Sequence, residues 1–282
     1  MSVLDVFESA PQLHSVELQV QLWKVKLPWH QLTSLSISSC SLDVFLAILE
    51  TGLDLLKCAV TVDDYRLIPR TDLVEHARLR SLSIVAEDNH IAVFDHLRLP
   101  ALSDLEYTDE LYPFAPSRLI SLLKRSSCQL RTLTITFERC SLSDDDLIHI
   151  LRLSPLLQEL ELKYSCCFGG VSNKVMTQLT YKDRGDLDSV LLTPELQILK
   201  LTRRRLNATY RFAYSVLADM IESRWRLDNS VDSQTRVARL QCVNVSLDRD
   251  LARVDPIAIA RLRRLKNEGL NIEMMDRHGD RV

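Results

Sequence analysis

Leu130-Arg-Thr-Leu133-Thr-Ile135-Thr-Phe137-Glu-Arg-Cys140-Ser-Leu142 alternates apolar and polar residues without a break from Thr132 to Phe137. In a strand, successive side chains point to opposite faces. Leu133, Ile135 and Phe137 therefore point inward, while Thr132, Thr134 and Thr136 point outward. The same pattern holds at Leu160, Leu162 and Tyr164, with Glu159, Glu161 and Lys163 outward, and at Leu35 and Ile37, with Ser34, Ser36 and Ser38 outward. One such strand alone leaves its apolar row in water, so the pattern calls for neighbours of the same kind.

Those neighbours are in the chain. The phrase leucine, two residues, leucine, one residue, apolar is anchored at Leu13, Leu32, Leu53, Leu79, Leu102, Leu130, Leu156, Met176 and Leu196. The mean interval, near 23 residues, lies inside the range of roughly 20–29 for leucine-rich repeats. Stacking such units buries each apolar row against the next. The expected fold is an α/β leucine-rich repeat solenoid (a horseshoe), with a parallel sheet on the concave side and helices on the convex side. It forms one domain over 1–282, with regular repeats over 1–206 and atypical capping repeats over 207–282.

The segments between the strands read as helices. Asp43–Glu50 and Pro116–Leu123 are amphipathic, and Ser143 caps Leu147–Leu153 with Asp144, Asp145 and Asp146 at its positive end. Met176-x-x-Leu179-x-Tyr181 reads as one more repeat strand. Toward the end, Tyr210–Arg224 reads as a helix and Val237–Val245 as a strand. Asp255-Pro256 opens a last helix that Gly269 closes, and Leu270, Ile272 and Met274 alternate as a terminal strand.

Composition agrees. Leucine supplies 51 of 282 residues and glycine only 6, too few for Gly-rich phosphate loops or flexible linkers. The net charge of -3 gives no global drive toward nucleic acid or anionic membrane. Residues 196–282 nevertheless carry 17 basic and 11 acidic side chains. Seven cysteines form no CxxC and no zinc-spaced block with histidine. Cys40, Cys140 and Cys167 instead occupy the Asn/Cys position that follows each repeat strand. Reduced thiols, and an N-terminus without a basic region followed by an apolar run, point to the cytoplasm or nucleus.

No nucleophile–base pair, HExxH, P-loop or Gly-x-Ser-x-Gly is present, so the expectation is a protein that is not an enzyme, with no catalytic residues, no cofactor and no metal. Asp144–Asp146 lacks the glycine and twelfth-position glutamate of a calcium loop and reads as a helix cap. Arg203-Arg204-Arg205 reads as a solvated turn. The default binding surface of a solenoid is its concave face. By strand parity its outward positions include Ser34, Ser36, Asp104, Glu106, Thr132, Thr134, Glu159, Glu161, Lys163 and Lys200, a polar surface of mixed sign suited to a protein partner.

Three C-terminal phrases carry a family resemblance. Leu191-Leu-Thr-Pro194-Glu-Leu196-Gln-Ile-Leu199-Lys-Leu201 resembles the "LcPxLqxLxL" phrase of fungal F-box proteins with leucine-rich repeats. Leu217-Ala-Asp-Met220-Ile-Glu-Ser-Arg224-Trp225 resembles the "LxxMixSRw" helix that follows it, and residues 237–280 are similar to the family's tail. Trp29-x-Gln31-Leu32-Thr33-x-Leu35 resembles its first repeats, so the likeness covers essentially the whole chain. It implies a non-catalytic recognition scaffold, the substrate-binding part of an F-box-type ubiquitin ligase subunit. The family's helical F-box opens on a Leu-Pro-x-Glu-like phrase, which this sequence lacks; Leu99-Pro100-Ala101-Leu102 leads into a strand instead. A Skp-type adaptor is therefore an implied partner only where an F-box lies upstream. A stand-alone repeat protein, or a nucleic-acid-binding solenoid using the basic C-terminal region, is the alternative.

Overall fold

The structure, a computed structural model, describes residues 7, 10–19, 25–63, 72–86, 91–109, 115–137, 142–164, 171–182, 191–203, 212–227, 237–246 and 255–275. Its fold is mixed α/β. The chain forms two compact units, Met1–Leu130 and Arg131–Val282. The division falls within the run that the sequence presents as regular repeats.

In the N-terminal unit five parallel strands follow one another: β1 (Ser15–Leu18), β2 (Ser34–Cys40), β3 (Lys57–Val62), β5 (Ser81–Ala86) and β7 (Asp104–Asp109). A separate parallel pair, β4 (Val74–Glu75) and β6 (Leu97–Arg98), lies outside this ladder. The C-terminal unit has a second parallel ladder, β8 (Thr132–Phe137), β9 (Glu159–Tyr164), β10 (Ile198–Arg203), β11 (Cys242–Ser246) and β12 (Asn271–Met275).

Parallel pairing turns the period-2 pattern into rows, with one register shift between Ile37 and Cys40 at the end of β2. In the first unit Leu35, Cys58, Leu82 and Leu105 stand side by side, each at most 2 % exposed. In the second, Leu133, Leu160, Leu199, Val243 and Ile272 do the same. A one-residue slip would turn every buried leucine to water, so burial itself fixes the register.

A backbone feature recurs beside these rows. The carbonyl of the residue just before a strand accepts from two successive N–H groups of the next repeat. His14 takes Thr33 and Ser34, Thr33 takes Leu56 and Lys57, and Leu56 takes Arg80 and Ser81. Arg80, Arg131, Gln158 and Gln197 each repeat the arrangement, at 2.7–3.1 Å. A carbonyl oxygen has two lone pairs and can serve both donors.

Six α-helices occur among the described residues: α1 (Leu42–Thr51), α2 (Pro116–Ser126), α3 (Asp144–Arg152), α4 (Asn173–Leu179), α5 (Tyr214–Trp225) and α6 (Pro256–Asn267). Ser41, Ser143, Ser172 and Asp255 each accept a hydrogen bond from a first-turn N–H. This satisfies donors that the helix itself cannot. Gly269, at φ 104°, follows α6, in backbone that a side chain would strain.

Several expectations need correction. The third repeat is built on Leu55, Cys58 and Val60, all buried, while Leu53 is 62 % exposed. Met176 and Leu179 lie in α4, where Ser172 caps the chain into a helix, so that phrase is not a strand. The helix read from Tyr210 begins at Tyr214, and the strand read from Val237 begins at Cys242. Cys140 and Cys167 lie outside the described residues, whereas Cys40 is buried at the end of β2.

Candidate functional site

The outward-facing rows of the two ladders differ in chemistry. In the N-terminal unit one row runs Ser15, Ser34, Lys57, Ser81, Asp104 and the next Glu17, Ser36, Ala59, Ser83, Glu106. Most of these side chains are short. Asp104 accepts from the Ser103 hydroxyl (2.6 Å) and Glu106 from that of Ser83 (3.0 Å). Among the described residues Glu17, Asp104 and Glu106 enter no ion pair, and neither does Lys57.

In the C-terminal unit one row runs Thr132, Glu159, Ile198, Cys242, Asn271 and the next Thr134, Glu161, Lys200, Asn244, Glu273. Here the charges answer one another. Lys200 Nζ meets Glu159 at 2.6 Å and Lys163 Nζ meets Glu161 at 3.5 Å. The Glu159 hydrogen bond raises the Lys200 ammonium above its ordinary range, against the effect of burial. The Gln241 amide continues the pairing, donating to Gln197 at 2.8 Å.

The ladders therefore bring Ser34, Ser36, Asp104 and Glu106 onto one face, and Thr132, Glu159, Glu161, Lys163 and Lys200 onto another. Thr134 is 7 % exposed, so it offers little to a partner even though its parity is outward. Glu17, Lys57, Asn244 and Glu273 join these faces; row-by-row alignment of the strands identifies them.

Cysteine chemistry is suppressed where it can be judged. Burial pushes the Cys58 thiol up to about 12 and Cys128 up to about 11. Cys242, on the outer face, is also raised, chiefly by burial. The thiolate is the nucleophile, so these groups are held in their unreactive form.

Among the described residues, Arg226, Arg261 and Arg264 of the basic C-terminal region are paired with acids of the same unit. Glu222 on α5 binds Arg261 (2.6 Å) and Arg264 (2.9 Å) of α6 and Arg226 (3.1 Å) of its own helix. Asp219 also binds Arg261, and Glu268 also binds Arg226 and Arg264. The Arg261 hydrogen bond, aided by the charges of Arg226 and Arg264, lowers Glu222 below the usual carboxylate range. Arg203 is described and partly exposed; Arg204 and Arg205 lie outside the described residues.

The Ser223-Arg224-Trp225 phrase proves structural. Arg224 is fully buried, and its guanidinium donates to the carbonyls of Leu179 (2.6 Å), Leu192 (2.7 Å) and Thr193 (3.1 Å). Burial lowers it to about 10, so it keeps its charge at neutral pH. Ser223 accepts from the Tyr181 N–H at 3.1 Å. Arg239 lies 3.4 Å over the Trp225 ring and donates to the Trp225 carbonyl. The "TP" and "SR" phrases, thirty residues apart, thus meet at one hydrogen-bonded point.

Among the described residues no group of three or more His, Cys, Asp or Glu side chains is placed to hold a metal ion. No helix among them is long and apolar enough to cross a membrane. No protein-family model matches the chain, and a search of curated proteins returns no match.

Proposed function

We propose that this chain is a leucine-rich repeat solenoid that recognises a protein partner without catalysing a reaction, as the substrate-binding part of an F-box-type ubiquitin ligase subunit. In this reading the outward rows form the concave face, the helices the convex side, and the molecule works in the cytoplasm or nucleus. The observation that supports it most is the register. Five strands per unit hold their outward side chains in rows, neighbours in a row about 4.8 Å apart, over a buried apolar row that fixes the register. Such a surface displays many polar groups in a rigid pattern, which suits specific contact with another protein. The engagement of Arg226, Arg261 and Arg264 with acids of the same unit weighs against a nucleic-acid role for this region.

The test is photo-crosslinking in cells, with a benzophenone amino acid at Ser36, Ser83, Lys163 or Asn244, and at Lys124 or Arg152 on helices as controls. Cross-linked proteins are expected from the strand positions, with capture lost in Glu106→Arg combined with Glu161→Arg. Capture at the helix positions alone would overturn the assignment. The ligase role is checked separately, by whether the product of the complete transcript co-purifies with a Skp-type adaptor.

A further inference from the structure

We propose that the outward face of the N-terminal unit docks an arginine- and lysine-rich segment of its partner, seated on Asp104 and Glu106. This deepens the recognition reading above and rests on it.

The inference starts from a mismatch between the two faces. On the C-terminal ladder the carboxylates of Glu159 and Glu161 are each matched by a lysine of the same ladder. On the N-terminal ladder Glu17, Asp104 and Glu106 have no cation among the described residues. Asp104 and Glu106 accept hydrogen bonds only from serine hydroxyls, which supply no charge. The unit as a whole has 11 basic and 17 acidic side chains (net -6), against 24 and 21 (net +3) in the other.

Steric access points the same way. Ser34, Ser36, Ala59, Ser81 and Ser83 carpet the strands between the acids. Their side chains end close to the backbone, so an extended segment can lie low across the strands. Its guanidinium groups can then reach Asp104 and Glu106, which sit two residues apart on one side of β7. A carboxylate takes an arginine bidentately, and that geometry gives strength as well as direction. Among the described residues the cation in these rows is Lys57, in the row of Asp104 with Ser81 between them. It pairs with no acid among the described residues, so it repels a basic segment and confines it to the β7 side.

The test uses fluorescence anisotropy on the whole chain with a labelled twelve-residue peptide of alternating arginine and serine. An arginine-to-glutamate version of the peptide and a twelve-nucleotide single strand serve as comparisons. Asp104→Asn with Glu106→Gln is expected to weaken binding of the basic peptide about tenfold. Glu159→Gln with Glu161→Gln, which changes the net charge equally, is expected to change it less than about twofold. Lys57→Gln is expected to tighten it, a gain that misfolding cannot mimic. Equal weakening by both acid pairs, no weakening by either, or preference for the acidic peptide or the oligonucleotide would overturn the proposal. If strand-face cross-linking survives Asp104→Asn with Glu106→Gln, the recognition reading stands and this inference alone falls.

Discussion

Arg125-Ser126 at the end of α2 and Ser223-Arg224 at the end of α5 perform the same task in the two units, in opposite order. Each arginine reaches back to carbonyls of the preceding segment: Arg125 to Phe94 and Leu97, Arg224 to Leu179, Leu192 and Thr193. Each serine accepts a backbone N–H there, from Leu99 in one unit and Tyr181 in the other. The order decides what is buried. In the N-terminal unit the serine is 3 % exposed and the arginine half-buried; in the C-terminal unit the arginine is fully buried and the serine half-buried. Loop carbonyls that strand and helix leave unpaired must still be satisfied. A side chain from the next helix does so, at a cost set by how far its charge is removed from water.

That difference predicts unequal consequences. Arg224→Met should be the most damaging change, because three carbonyls lose their donor in a dry site. We expect a loss of about 3–5 kcal/mol by denaturant titration. Arg125→Met, in a wetter site with two acceptors, should cost about 1–2 kcal/mol. Equal losses would mean that burial does not separate the two arginines. For the serines the ranking reverses: Ser126→Ala should cost about 1–2 kcal/mol and Ser223→Ala less, because the Leu99 N–H is left without an acceptor in the drier place. Protection of the Leu99 and Tyr181 amides in hydrogen exchange reads this directly.

The smallest expected effect concerns Glu222, beside Arg224 but partly wet. Its folded value is lowered, so its stabilisation is complete above the unfolded value of about 4.3 and is lost as pH falls through the folded one. Glu222→Gln should cost about 1 kcal/mol or less near neutral pH. It should also flatten the fall in stability of the C-terminal unit below about pH 4. An unchanged acid limb would show that the α5–α6 contact is held by packing alone.

Much of this architecture was readable in the residues, and the failures have physical causes. Alternation at Leu133–Phe137 and Glu159–Tyr164, the Ser143 cap and the Asp255-Pro256…Gly269 frame all act locally, so the sequence displays them. Leu53-Asp-Leu55-Leu56 offers two anchors of equal parity, and only packing against β2 and β5 selects Leu55. Met176-x-x-Leu179 fits a helix face and a repeat phrase equally well, and the Ser172 hydroxyl decides. The role of Arg224 is not visible in the sequence, because nothing near it in the chain reveals three carbonyls from other segments. Parity alone picks six strand-face candidates in the C-terminal unit, of which five are partly exposed, but parity cannot report that Thr134 is covered by its neighbours. Whether a carboxylate is matched by a lysine depends on which strands become neighbours.

The paired amides that converge on one carbonyl ahead of seven of the strands have a consequence for how such a chain can change. They index β2, β3, β5, β7, β9, β10 and β11 each to the preceding strand at its first residue, as a margin aligns lines of unequal length. The spacing from each of these carbonyls to the first amide that it takes ranges from 19, between His14 and Thr33, to 44, between Gln197 and Gln241. Connecting segments are free to lengthen, shorten or be replaced wholesale, while the displayed rows keep their order.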